Sequence, residues 1–176
     1  MPGECPGQQS VVSVSNSQPD DIANMNCPKQ LSFDSAVSRI REPMFRISFS
    51  CKLSAIREAV NGAYGFMAGQ RIESETVTAC RIALTEACNN AILYAGETGS
   101  KSPVEIHVAC DQLWCELSVV DHTPGFDWPE KPELPEPEAE RGRGVFLIHS
   151  LMDQIVYSRG PGVNRLIMRK KRRTTR

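Results

Sequence analysis

The chain has 176 residues, 40% of them hydrophobic, and its 20 lysines and arginines stand against 21 aspartates and glutamates for a formal net charge of -1. That size and apolar content can bury one core and predict a single folded domain. No stretch is long and apolar enough to cross a membrane, and residues 1–20 lack the continuous apolar centre of a signal peptide.

In chain order, residues 1–42 are rich in Ser, Pro, Gly, Gln and Asn without sustained periodicity and read as a disordered extension. Phe45–Phe49 alternates as a strand, and Leu53–Ala68 carries Ile56, Val60 and Tyr64 at helical spacing. A long helix is expected from Ser74, a candidate N-cap, to Ala95, with Gly96 as its stop. Val104–Val108 and Leu113–Leu117 read as strands around a turn, and Leu117–Val120 alternates into Asp121. Between Pro124 and Pro137, five prolines leave a loop. Val145–Met152 follows as a helix, and Gln154–Tyr157 with Arg165–Met168 as a closing hairpin across residues 159–163. The chain ends on the basic run Arg169–Arg173 and Arg176, which can be a solvated end or contact an acidic partner.

The long helix holds the chemistry. At 100° per residue, Val77, Cys80, Ala83, Leu84, Ala87, Ala91 and Tyr94 form one apolar face, and Thr78, Arg81, Thr85 and Asn89 form a solvent strip. Glu86 and Asn90 belong to neither; they lie one turn apart on a third side flanked by Ile82 and Leu93, expected to face away from water. A carboxylate and an amide in such surroundings need partners, because an unpaired buried polar group costs about 1–3 kcal/mol. Backbone groups can supply them. So can a hard cation such as magnesium, which takes oxygen ligands and arrives with phosphates and water.

Two later segments add to that pair. Asp121-His122-Thr123-Pro124-Gly125 puts a carboxylate where a strand enters a tight turn, with a glycine that lets backbone approach a flat ring. Gly142-Arg143-Gly144-Val145-Phe146 opens a helix on a glycine loop whose free N–H groups can face phosphates. The seven cysteines, at positions 5, 27, 51, 80, 88, 110 and 115, include no Cys-x-x-Cys pair, which argues against a disulfide framework and a zinc site and for a reducing cytoplasm. His107, His122 and His149 form no local cluster. The P-loop lysine signature and the Gly-x-Ser-x-Gly elbow are absent from the sequence.

With these motifs in order, the chain resembles the ATPase superfamily of gyrase, histidine kinases and MutL, the Bergerat fold. Glu86–Asn90 resembles its N box, Asp121–Gly125 its first glycine box and Gly142–Gly144 its second. Within it, "TEACNNAILYA" and "GRGVFLIHSLMD" are most similar to bacterial anti-sigma-factor serine/threonine kinases. The resemblance implies an α/β two-layer sandwich over residues 43–170: a mixed, mainly antiparallel sheet with helices on one face, and a basic tail at 171–176. It implies Glu86 as catalytic base and Asn90 as the magnesium ligand. Asp121 would contact the adenine amine, and Gly125, Gly142, Arg143, Gly144, Val145 and Phe146 would form the nucleotide loops. Either Arg141 or Arg143 would reach the γ-phosphate or stay solvated. Thr123 departs from the pattern at a glycine position, and Tyr94 at a position where many relatives have histidine. The implied cofactors are ATP and Mg2+. The implied partners are a STAS-domain antagonist as phosphorylated substrate, a sigma factor held captive and a second copy of the chain, with no membrane and no direct nucleic-acid contact. The alternatives are an ATP-sensing binding module without transfer, or a kinase acting on a target other than a sigma factor.

Overall fold

The structure is a computed structural model that describes residues 45–136 and 142–173. The expected N-terminal extension, Arg141 and the last three residues lie outside them. In chain order the elements are β1 (Phe45–Phe49), α1 (Leu53–Ala68), α2 (Ser74–Thr98), β2 (Val104–Cys110), β3 (Trp114–Asp121), α3 (Arg143–Leu151), β4 (Gln154–Gly160) and β5 (Val163–Lys171). The sheet order is β1-β2-β3-β5-β4. Every pairing in it is antiparallel, so the expected mainly antiparallel sheet holds without a parallel pair. The reason lies in the connections: α1 and α2 together return the chain to the far end of the sheet, so β2 runs against β1. A single crossover helix would have made them parallel.

Residues directly opposite one another in the register share a face, so Ile47, Ile106, Val119, Leu166 and Tyr157 make one inward row across the sheet. Leu117, Met168 and Ile155 make the next. The helices cover this face. α1 presents Ile56, Ala59, Val60, Ala63 and Met67 at intervals of three and four. α2 buries mostly alanines and cysteines, including Cys80, Ala83, Ala87, Cys88 and Ala91, and such small side chains let its axis lie close to the strands. The opposite face carries the pair in which Arg169 Nε donates to Glu116 Oε2 at 2.7 Å across the β3–β5 register. Among the described residues no helix is long and apolar enough to cross a membrane.

Several element ends differ from the sequence reading by one to three residues, and both ends of α2 differ with a physical reason. Ser74 is the first helical residue, not the cap; Glu73 holds the cap position without a side-chain cap bond. The helix also runs through Gly96 to Thr98 and stops at Gly99, whose φ of 70° is left-handed. In this last turn the Gly99 N–H donates to the Ala95 carbonyl, and Thr98 Oγ1 adds contacts to the carbonyls of Tyr94 and Ala95 at 3.1 and 3.2 Å. The two short strand readings before Asp121 are one strand. Its start is set by Asp111 Oδ1, which accepts from the N–H groups of Leu113 and Trp114 at 2.7 Å each and holds Leu113 in the turn.

The two glycines give opposite expected outcomes in urea unfolding. Gly96→Ala, in the helix with nothing near its Cβ position, raises stability by about 0.5–1 kcal/mol. Gly99→Ala, forced into the left-handed region, lowers it by about 1–2 kcal/mol. Equal signs would show that the helix ends elsewhere.

Candidate active site

Four elements meet at one end of the sheet: the middle of α2, the end of β3, the start of α3 and the β4–β5 edge. α3 packs along α2. At its start, a Cβ on Gly144 would lie 2.8 Å from Glu86 Oε2 and 3.5 Å from Asn90 Oδ1. Only a glycine lets the α3 backbone come this close with both polar side chains in place. Gly142, at φ 98°, turns the chain into the helix, and a Cβ there would meet the Pro135 ring at 2.9 Å.

Glu86 and Asn90 are both half-buried. Their flanks differ from expectation: Ile82 and Leu93 are 39% and 47% exposed, so this side of α2 borders an open cleft. Partial burial still pushes the Glu86 carboxyl above its ordinary value. The Asn90 Nδ2 atom is buried and has no hydrogen-bond partner. Asn89 is half-buried as well, so burial does not separate the two amides; direction does, since Asn90 faces Gly144 and lines the cavity over Asp121.

At the α3 start, the N–H of Phe146 donates to Gly142 O at 3.4 Å and closes the first turn. The amides of Arg143, Gly144 and Val145 precede that bond and point out of the helix start. The Arg143 guanidinium reaches the Glu136 carbonyl at 3.5 Å, tying the loop to the helix.

Asp121 ends β3, as expected. Its Oδ1 accepts three bonds: from Thr123 N at 2.9 Å, Thr123 Oγ1 at 2.6 Å and Asn164 Nδ2 at 2.9 Å. These fix the carboxylate plane and leave Oδ2 to meet a ligand donor. The turn needs no left-handed residue at Thr123, because Arg71 is the non-glycine residue with positive φ among the described residues. Gly125 does need one, at φ 71°, and a Cβ on it would lie 2.7 Å from Asn164 Oδ1 and 2.8 Å from the Tyr157 hydroxyl.

Sequence reasoning missed Asn164. It is fully buried, and its Nδ2 also donates to Thr123 O at 2.8 Å. The cue was present: Asn164, Leu166 and Met168 alternate onto the inward face of β5, and an amide in an apolar phase must have polar partners.

Above Asp121 the space is closed by aromatic rings. Phe126 stacks on Tyr94 with centroids 4.6 Å apart and planes 7° from parallel, and it contacts Trp128 and Tyr157 at 5.6 and 5.3 Å. What remains is a cavity of about 20 Å³, room for a water molecule, so a flat ring entering here must displace Phe126. Trp128 anchors the following loop: its Nε1–H donates to His149 Nε2 at 2.9 Å. Burial holds the His149 imidazole below its ordinary pKa, in the neutral form that can accept this bond.

The sequence profile of the histidine kinase-like ATPase domain matches residues 49–170. The chain belongs to this family. Its relatives include the serine-protein kinase RsbW of Bacillus pumilus, 30% identical over 100 residues, a match covering 51% of this chain and 62% of the relative. The RsbW of Bacillus velezensis is 29% identical over 92 residues, covering 47% and 58%. The chain thus spans about three fifths of the length of the RsbW proteins it matches. In fold, the chain resembles the RsbU and RsbW domains from Mycobacterium tuberculosis (TM-score 0.56, 14% identity, 75% of this chain and 33% of that one). It also resembles a chain of the SiaB–SiaC complex from Pseudomonas aeruginosa (TM-score 0.57, 11% identity, 73% and 89%).

Asn164→Ala removes one of three donors to the Asp121 carboxylate. Chemical denaturation without ligand is expected to show a loss of about 1.5–3 kcal/mol, the scale of a buried bond to a charged group. A change below about 0.5 kcal/mol would mean that Asn164 does not hold Asp121.

Proposed function

We propose that this chain is an ATP-dependent protein serine/threonine kinase that phosphorylates a hydroxyl on a separate protein. The observation that carries this reading is the contact of Gly144 with Glu86 and Asn90, which sets a carboxylate and an amide against a helix start with outward N–H groups. In the proposed reaction, Asp121 Oδ2 accepts from the adenine amine, and the amides of Arg143, Gly144 and Val145 face the phosphates with the favourable end of the helix dipole. Glu86 accepts the proton of the serine or threonine hydroxyl as its oxygen bonds to the γ-phosphorus. The bond from that phosphorus to the bridging oxygen breaks, and ADP leaves. Partial burial makes Glu86 a stronger base than an exposed carboxylate.

The residues present fit magnesium. Asn90 offers a hard amide oxygen beside an orphaned buried nitrogen that can donate to a phosphate oxygen, and among the described residues no group of three His, Cys, Asp or Glu forms an all-protein metal cage. When bound, the ion would offset charge on the phosphates. Asn90 would hold it, with Glu86 placed to hold one of its waters.

The relatives' name, serine-protein kinase, supports transfer to a protein serine. The resemblance of the sequence supports the finer reading: a STAS-domain antagonist as substrate, a sigma factor as captive, and a homodimer as working unit. The described cysteines are free thiols, which supports action in a reducing cytoplasm.

Transfer from γ-labelled ATP to a purified STAS-domain protein of the same genome tests the kinase reading. Glu86→Gln is expected to retain ATP binding and lose about 100-fold or more in transfer rate. In the unsubstituted protein the rate falls as pH drops through the raised pKa of Glu86, because the base becomes protonated; the glutamine variant lacks that limb. Unchanged transfer in Glu86→Gln removes the base from its assigned place.

A further inference from the structure

One groove lies outside the site described above. It has a volume of about 500 Å³ and runs between the first turns of α2, the last turn of α3 and the end of β5. Thr78 and Ile82 form one wall, Ser150 and Leu151 the other, and Lys170 and Arg173 close the far end. Ile82 is one helical turn before Glu86, so the groove leads toward the carboxylate. α3 runs antiparallel to α2, with Gly144 against Glu86 and Leu151 in the groove wall. Between these ends Ile82 and Leu147 are 39% and 37% exposed, an apolar waist on a track that is polar at both ends.

We propose that an extended acidic segment of the phospho-acceptor protein lies along this track, with its acceptor hydroxyl at Glu86 and an acidic side chain against Lys170 and Arg173. The proposal rests on the kinase reading. Charge complementarity selects the occupant: the two cations at the groove end outnumber Glu75, the acidic residue in the lining. Lys170 lies 3.5 Å from Asp153, and an ammonium with three donors can take a second carboxylate. The spacing follows from the fold. The Arg173 carbonyl accepts from the Glu73 N–H at 2.8 Å, which places the cations at the start of α2. From Ser74 to Glu86 the helix rises about 18 Å, which an extended peptide covers in about five or six residues. An apolar side chain midway would cover Ile82 and Leu147.

Fluorescein-labelled peptides titrated against the full chain by anisotropy test this. Each peptide carries one serine, a leucine three residues from it, and two aspartates five and six residues from it on the N- or the C-terminal side. Controls replace the aspartates by asparagine or move them next to the serine. One direction of the spaced acidic peptide is expected to bind about five- to tenfold tighter than both controls, the scale of two partly exposed ion pairs. That preference is expected to disappear in Lys170→Ala/Arg173→Ala, with thermal unfolding used to check that this variant folds, and to persist in Glu86→Gln. Equal affinity for all peptides, no binding by any of them, or a preference that survives the double alanine variant overturns the proposal. Spaced docking without γ-phosphate transfer leaves the groove standing and removes the kinase reading. Transfer indifferent to the aspartates does the reverse.

Discussion

The approach of the α3 backbone to Glu86 and Asn90, possible because Gly144 has no side chain, is the contact on which the rest of the site depends. It joins a helix that is fixed by core packing to a helix that follows a proline-rich loop. α2 is held by its buried row of small residues, and this packing sets where Glu86 and Asn90 sit. The start of α3 then brings outward amides to a carboxylate and an orphaned amide. Two polar groups that are costly to bury alone thereby gain, in the proposed function, a phosphate and a hard cation as partners.

A second constraint acts at the Asp121 end of the cleft, the place proposed for adenine. Asp121 is oriented by a network that reaches from the end of β3 to Asn164 on β5, and Gly125 keeps clear the space that Asn164 and Tyr157 occupy. The stacked Phe126 and Tyr94 fill the volume in front of it. Trp128, joined to His149 on α3, couples that aromatic cluster to the helix whose start faces Glu86. Phe126, Trp128 and His149 thus form one contact chain from the Asp121 end of the cleft to α3.

Helical and strand periodicity in the sequence located every described element, because α1, α2 and the inward faces of the strands have apolar spacing that admits one reading. The same phase separated Glu86 and Asn90 from the core row. Other features were not legible for identifiable reasons. Gly96 reads as a stop, but the left-handed turn that ends the helix is made by Gly99, three residues later, whose N–H caps the Ala95 carbonyl. The openness around Glu86 depends on how far Ile82 and Leu93 are covered by other elements, and periodicity carries no information about neighbours. Asn164 was readable from its inward phase, yet its role follows from a partner 43 positions earlier in the chain. The groove ending at Lys170 and Arg173 likewise joins residues distant in sequence, so the basic run alone read as a tail.

Titration calorimetry with ATP, with and without magnesium, tests the central claim most directly when applied to the unsubstituted chain, Asn90→Ala and Asn89→Ala. A nucleotide held between α2 and α3 through the amide that faces Gly144 requires magnesium-dependent heat in the unsubstituted chain and in Asn89→Ala, and its loss in Asn90→Ala. Absence of heat in the unsubstituted chain, or equal heats in the two variants, would contradict that placement of the nucleotide.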